Sequence, residues 1–420
     1  MKLVKMSLAA IVAAGALSSV ASATPLEEAI KNVDVSGWAR YRFDSTQTDD
    51  GTNKGAAKAY HRFTSTIDFK AALDDNFFGV IGFRYDSRDT SGDNVNGGQT
   101  MTTQEDEGFD NYGQTFNVRQ FLLGYKAGNT TIQAGRQVLG TFFTDDMVGT
   151  GIKILNTDIT GLTLAAVAFD DLQQDTHIGT NKLIQTSAIG VTPVTYSKTS
   201  NNNLYGVAAI GSYDPVSFQL WYALLQDVAD LYAVDVAVNF DVNDFNLGLH
   251  GQYAGSSIDS SLTDKKLGTN NVTLDDADYW AIEATAKAYG VDARVGYVDF
   301  SADKKDAYSL ISYEDQGKFI EAGEDLYDTY SGFMGDNNYW FLVAGYTFDK
   351  FRVGVDYVDG KITKSSVGKQ DAYELVGRLS YAYSKKLKFQ TWWSHYEIDG
   401  KDTVKDLEKD HFRFEARYNF

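Results

Sequence analysis

His411-Phe412-Arg413-Phe414-Glu415-Ala416-Arg417-Tyr418-Asn419-Phe420 decides the fold class. Successive side chains of a strand point to opposite faces. The even positions, Phe412, Phe414, Ala416, Tyr418 and Phe420, are all apolar or aromatic, and the odd positions are all polar. A soluble sandwich would turn the apolar face to a core and usually run on into a polar tail. An aromatic-rich face that reaches the final residue instead suits a strand with lipid on one side and a water-filled lumen on the other. The expectation is an all-β protein, a transmembrane antiparallel β-barrel.

The opening residues point to the same compartment. Lys2 and Lys5 form a positive segment, Leu8 to Leu17 an apolar one, and Ala21-Ser22-Ala23 a small-x-small cleavage pattern. Residues 1–23 are thus expected to be a signal peptide cleaved near Ala23, and 24–420 a single barrel domain. No linker or composition shift divides the chain. It has no cysteine and only three prolines, Pro25, Pro193 and Pro215. Scarce proline fits a chain made mostly of paired strand, where a missing N–H breaks the ladder. No later stretch is apolar and long enough for a helical span.

The formal net charge is -19. It argues against nucleic acid as a partner, which needs a basic footprint, and favours cations near the protein.

Strand-like alternation recurs along the chain. Val33, Val35, Gly37, Ala39, Tyr41 and Phe43 alternate with Asp34, Ser36, Trp38, Arg40 and Arg42, and the pattern returns to give about 18 strands. Every second link is short: Asp74-Asp75-Asn76, Gly128-Asn129, Asp214-Pro215, Gly290, Asp349-Lys350 and Lys385-Lys386. The links between them are longer and polar, notably Leu172–Asn203, Gly255–Ala277 and Ser301–Asn337. An even-stranded barrel with both termini on the periplasmic side requires this alternation. Tyr41, Phe43, Tyr85, Tyr125, Tyr253, Tyr357, Tyr381 and Tyr383 fall near strand ends on outward faces, as interfacial girdles do. Near Leu204 and Asn338 both faces read apolar, and the facing is ambiguous.

A barrel of this size encloses an aqueous channel, so selectivity depends on what narrows it. The third long connection, Leu139–Thr150, is the candidate for an inward fold. Phe142 and Phe143 can pack on the wall and leave Asp145 and Asp146 to project into the channel. Parity places Arg40, Arg42, Arg62, Arg84, Arg136, Arg294, Arg352, Arg378, Arg413 and Arg417 on lumen faces, opposite those acids. The resulting transverse field would order water and select ions; alternatively, these arginines pair with neighbouring carboxylates and brace the wall. A Ca²⁺ between Asp145, Asp146 and Glu283 is a further candidate, since Ca²⁺ prefers several oxygens.

Met1–Thr24, Pro25–Ile30, Asp34-Val35-Ser36-Gly37 with Arg40-Tyr41-Arg42, Ala134-Gly135-Arg136-Gln137, Phe143-Thr144-Asp145-Asp146, Val148-Gly149-Thr150-Gly151, Gly161–Ala166 and the terminal Tyr418-Asn419-Phe420 form a set of blocks. Together they resemble the major outer membrane porin of Campylobacter-type bacteria. The Gly135-Arg136-Gln137 block is also similar to the wider group of substrate-selective porins. The resemblance implies an 18-stranded general-diffusion porin, homotrimeric and cation-preferring, with its third loop in the lumen. Such a protein sits among outer-membrane lipid and lipopolysaccharide, passes ions and small hydrophilic solutes, and requires no cofactor.

Enzyme readings lack their residues. His61, His177, His250, His395 and His411 are scattered, with no His-Glu-x-x-His pair, Gly-x-Ser-x-Gly elbow, P-loop or dinucleotide fingerprint. The stronger rival to a channel is an adhesin with its binding surface on Leu172–Asn203 and Ser301–Asn337.

Overall fold

The computed structural model describes residues 33–51, 55, 57–91, 117–173, 203–263, 273–304, 307–311, 317–326, 334–364, 368–401 and 405–420. The expected signal peptide and most of the Leu172–Asn203 connection lie outside them. The first six strands are β1 (Asp34–Asp49), β2 (Lys58–Ala72), β3 (Phe77–Ser91), β4 (Asn117–Ala127), β5 (Thr130–Val138) and β6 (Val148–Asn156). Next come β7 (Leu162–Gln173), β8 (Leu204–Tyr213), β9 (Val216–Leu225), β10 (Ala229–Val242), β11 (Phe245–Ile258) and β12 (Ala277–Ala288). The last six are β13 (Val291–Ala302), β14 (Met334–Phe348), β15 (Phe351–Lys364), β16 (Gly368–Ala382), β17 (Leu387–Ile398) and β18 (Leu407–Asn419).

All 18 strands form one antiparallel sheet in sequence order, and β1 pairs with both β2 and β18. Closure leaves no edge, so every strand finds its ladder partners without water, which a lipid environment demands. Gly37 and Phe420 exchange backbone hydrogen bonds at 3.2 and 3.0 Å, so the seam runs to the final residue. The short turns and both strand termini share one end of the barrel, and the long loops share the other.

The closing strand faces as its alternation predicts. Phe43 lies opposite Phe414, and Tyr41 opposite Ala416, on the outer face, while Arg42 opposes Glu415 and Asp44 opposes Arg413 inside. At the turn end, Phe348, Phe351, Tyr381, Phe389 and Phe414 form a continuous outer row with ring centroids 4.5–6.5 Å apart. Toward the loop end, outer tyrosines donate to carboxylates: Tyr253 to Asp278 at 2.6 Å, Tyr357 to Asp359 at 3.0 Å and Tyr373 to Glu397 at 3.0 Å. Rings whose apolar bodies meet lipid and whose hydroxyls meet water belong at the two interfaces of a bilayer.

The inner face is not uniformly polar. Over the loop-side half of β7 to β14 it is an apolar wall, with Phe169, Leu204, Ala223, Leu231, Tyr279, Phe300 and Tyr339 buried. This resolves the two ambiguous strands. Leu204 and Ala208 face inward and are buried, while Tyr205 and Val207 face outward and are exposed; Tyr339 and Phe341 face inward, Trp340 and Leu342 outward. Both faces are apolar because lipid covers one and inward-folded loops cover the other.

Candidate constriction of the lumen

The third long loop is shorter than its sequence suggests, because β6 begins at Val148 rather than near Gly151. The Leu139 N–H donates to the Met147 carbonyl at 2.9 Å and ties the loop's two feet together. Leu139, Phe142, Phe143 and Met147 are fully buried in the apolar core inside the barrel. Phe142 and Phe143 are therefore the loop's anchors and do not themselves line the water path. Asp145 and Asp146 remain accessible, their side chains 49% and 42% exposed. Asp146 accepts from buried Arg119 of β4 at 2.9 Å, and Asp145 from Lys318 at 3.2 Å.

Lys318 belongs to a second inward element, the seventh long loop, between β13 and β14. At Gly317 its backbone meets the third loop so closely that a Cβ would stand 2.5 Å from the Phe142 carbonyl oxygen, and its φ is +60°. Only glycine suits both constraints. The Lys318 N–H donates to the Phe142 carbonyl at 2.9 Å. The Phe319 ring packs edge-on to Phe142 and Tyr279, with centroids 5.0 and 4.6 Å away.

From there the segment follows the inner wall strand by strand. Gln252 of β11 donates to the Lys318 carbonyl at 2.9 Å and accepts from the Ile320 N–H at 2.7 Å. Arg294 of β13 donates to the Glu321 carbonyl at 2.8 Å, and Arg378 of β16 to the Gly323 carbonyl at 3.1 Å. Glu374 of β16 takes the N–H groups of Glu324, Asp325 and Leu326. At the far end, Lys409 of β18 donates to Asp325 at 2.6 Å, and His411 contacts it at 3.0 Å. His411 also reaches Asp44 of β1 at 3.0 Å, which places a carboxylate at each ring nitrogen. Arg413 donates to the same Asp44 at 2.5 Å.

The acids on this loop differ. Burial alone would raise the Asp325 carboxyl, but the His411 hydrogen bond and the Lys409 charge outweigh it and hold the group well below the usual carboxylate range. Glu321 is reached by water yet closely surrounded by wall. That desolvation, reinforced by the Glu324 charge, pushes its carboxyl up to about 7.

Nine of the ten arginines that parity places on lumen faces do face inward, and the wall braces several of them. Arg42 donates to Glu415 at 2.5 Å, while Arg40 lies 3.9 Å from the same carboxylate. Arg40 and Arg417 stack on the Trp38 ring at 4.9 and 4.6 Å. Arg352 grips Asp292 with two bonds of 3.0 and 2.6 Å, Arg378 is held between Asp356 and Glu324, and Arg84 is buried. Arg378 touches the seventh loop, and Arg413 reaches it through Asp44 and His411; Arg40, Arg42, Arg352 and Arg417 line the wall nearer the turn end.

Arg136 corrects the reading by parity. It lies opposite Phe121 and on the face of Ile132, which in turn opposes Ile154; all three apolar residues are exposed on the outside of the barrel. Its Nε donates to the Val118 carbonyl at 3.1 Å. The three carboxylates considered for Ca²⁺ do not fit a metal site either. Lys318 holds Asp145, Arg119 holds Asp146, and Glu283 accepts from Arg294 at 2.8 Å beside His250. Among the described residues no three His, Cys, Asp or Glu side chains form a group able to hold a metal ion.

A closed barrel narrowed by two inward loops is the architecture of a channel. The Campylobacter major outer membrane protein family model matches residues 1–420. The chain belongs to that family. No curated protein matches it. Solved structures share the fold at low identity. A BenF-like porin from Pseudomonas fluorescens Pf-5 superposes with a TM-score of 0.68 at 14% identity, covering 93% of this chain and 99% of that one. Pseudomonas aeruginosa OpdK, solved with vanillate, gives 0.67 at 13% identity, covering 93% and 99%. Acinetobacter baumannii OccAB4 gives 0.65 at 14% identity, covering 92% and 98%. The protein is thus an outer-membrane porin.

The residues that sequence reasoning missed are those of the seventh loop and its anchors, Lys318, Glu321, Glu324, Asp325 and Glu374. A signal was present. Phe319-Ile320 followed by Glu321, with Gly317 and Gly323 alongside, repeats the grammar of Phe142-Phe143 followed by Asp145-Asp146.

Proposed function

We propose that the protein forms a water-filled, cation-preferring channel for passive diffusion of ions and small hydrophilic solutes. One observation carries this reading. Among the described residues the inward loops present three accessible carboxylates, Asp145, Asp146 and Glu321, against one accessible cation, Lys318, while Arg42, Arg352, Arg378 and Arg413 on the wall are each held by wall carboxylates. Fixed charge at a narrowing acts on a permeant ion most strongly where it is least hydrated and least compensated.

On this reading export removes residues 1–23, the mature single barrel sits among lipid and lipopolysaccharide as a homotrimer, and passage requires no cofactor. Purified protein in a planar bilayer should give discrete conductance steps, with a reversal potential under a KCl gradient that favours K⁺. A potential favouring Cl⁻ would reject the cation preference. Gel migration of unboiled against boiled sample tests both barrel and oligomer, and a monomeric species alone would reject the trimer. Against the adhesin reading stands the course of residues 317–326 of Ser301–Asn337, which follow the inner wall.

A further inference from the structure

We infer that Glu374 is the positioning residue that keeps the seventh loop inside the lumen, and so sets the width of the pore. This rests on the channel reading above. The loop carries no regular structure between Gly317 and Leu326 and, apart from the Lys318 N–H bond to the Phe142 carbonyl, the backbone hydrogen bonds described above come from wall side chains. At the third-loop end those bonds are supplemented by a packed aromatic cluster. At the β16 end the backbone depends largely on one group. Glu374 Oε1 accepts from the Glu324 and Asp325 N–H groups at 2.9 and 3.0 Å and from Ser394 Oγ at 2.5 Å, and Oε2 accepts from the Leu326 N–H at 3.0 Å.

Three consecutive peptide N–H groups converge here on a fully buried carboxylate, and Asp325 and Leu326 are buried with it. A buried amide that loses its acceptor must find water or another partner, and inside this wall it does so only by moving outward. A carboxylate suits the task because both oxygens accept. A glutamine of the same shape presents an NH₂ group on one side, which meets either the Leu326 N–H or the Glu324–Asp325 pair donor to donor. The loop is shaped to this anchor as well. Gly323 has φ of +81°, and a Cβ there would stand 2.2 Å from Glu374 Oε2. Arg378, on the Gly323 carbonyl and the Glu324 carboxylate, and Lys409 and His411, on Asp325, also hold this end, but among the described residues Glu374 alone takes its backbone N–H groups.

The test compares full-length Glu374→Gln and Gly323→Ala channels with the parent in planar bilayers; the second variant perturbs the anchor from the loop without altering the barrel. Both should fold by heat-modifiable migration, raise single-channel conductance by roughly one half or more, and admit larger neutral polymers. Because the chain has no cysteine, a Glu321→Cys reporter in each background reads the loop itself; methanethiosulfonate modification should be several-fold faster once the anchor is broken. Parent conductance and parent reporter kinetics in a folded variant would overturn the assignment, even if the variant melted earlier, because Glu374 would then only brace the wall. Should Glu374→Gln fail to fold, Gly323→Ala decides on the same readouts. A parent protein that conducts nothing would sink the channel reading instead, and the reporter kinetics would still judge the anchor.

Discussion

Neutralising the acids of the third loop should lower cation preference by an amount the geometry allows one to estimate. Asp145 and Asp146 keep nearly half of their side-chain surface accessible, so a hydrated ion can approach to about 5 Å. At that distance, in a water-like medium, one carboxylate lowers a cation's energy by about 0.8 kcal/mol and raises an anion's by as much. With a Debye length of about 10 Å at 0.1 M salt, each effect shrinks to about 0.5 kcal/mol. Removing one carboxylate therefore costs about 1 kcal/mol of discrimination, roughly fivefold in the K⁺/Cl⁻ permeability ratio. The pairing with Lys318 and Arg119 does not cancel this change, because the partner charges stay when the carboxylate goes. Asp145→Asn and Asp146→Asn should each move the reversal potential toward Cl⁻, and together by more than about tenfold in permeability ratio. Lys318→Gln should move it toward K⁺ by a similar amount. The measurement is the zero-current potential of many inserted channels under a KCl gradient. Unchanged potentials in both aspartate variants, or a Lys318→Gln shift of the same sign as theirs, would refute the placement of these charges on the ion path.

Four other expectations concern the same region. Raising pH from about 6 to about 8 ionises Glu321, adds negative charge to the narrowing and should strengthen cation preference; Glu321→Gln should flatten that titration in the reversal potential. The Asp325 anchor behaves oppositely: its carboxyl is held low, so its stabilisation is complete above the ordinary carboxylate pKa of about 4 and is lost only as pH falls well below it. A Lys409→Gln channel, which lacks this contact, should accordingly differ from the parent in conductance noise from neutral pH down to about 5 and converge on it only in stronger acid. Phe142→Ala removes a fully buried ring from the junction of the two loops and should cost about 3 to 5 kcal/mol locally, read as faster proteolysis within 303–333 on unboiled protein. Gly317→Ala forces a Cβ to within 2.5 Å of a backbone oxygen at positive φ, and should separate the two loops with the same proteolytic signature while leaving heat-modifiable migration intact.

The sequence by itself determined the barrel. Period-two alternation such as that of His411–Phe420 leaves little choice of facing, because a slip of one residue would put Arg413 and Glu415 in lipid. The alternation of short turns with long loops then orders the strands, since antiparallel neighbours joined by tight turns pair in sequence. The third loop was legible for a related reason: a phenylalanine pair in a polar connection needs somewhere apolar to go.

What the sequence left open was decided by tertiary structure. Parity assigned Arg136 to the lumen from its charge, but the register with Phe121 and Thr150 sets it outside, where its backbone contact with Val118 occupies the Nε. The strands at Leu204 and Asn338 were undecidable locally because two different apolar surroundings meet them, lipid outside and the folded-in loops within. The seventh loop escaped for a deeper reason. Its place in the lumen depends on Gln252, Arg294, Glu374, Arg378 and Lys409, which are far apart along the chain and adjacent only once the sheet has closed. A strand's facing is written in its own period, whereas a loop's resting place is written in the wall that happens to surround it.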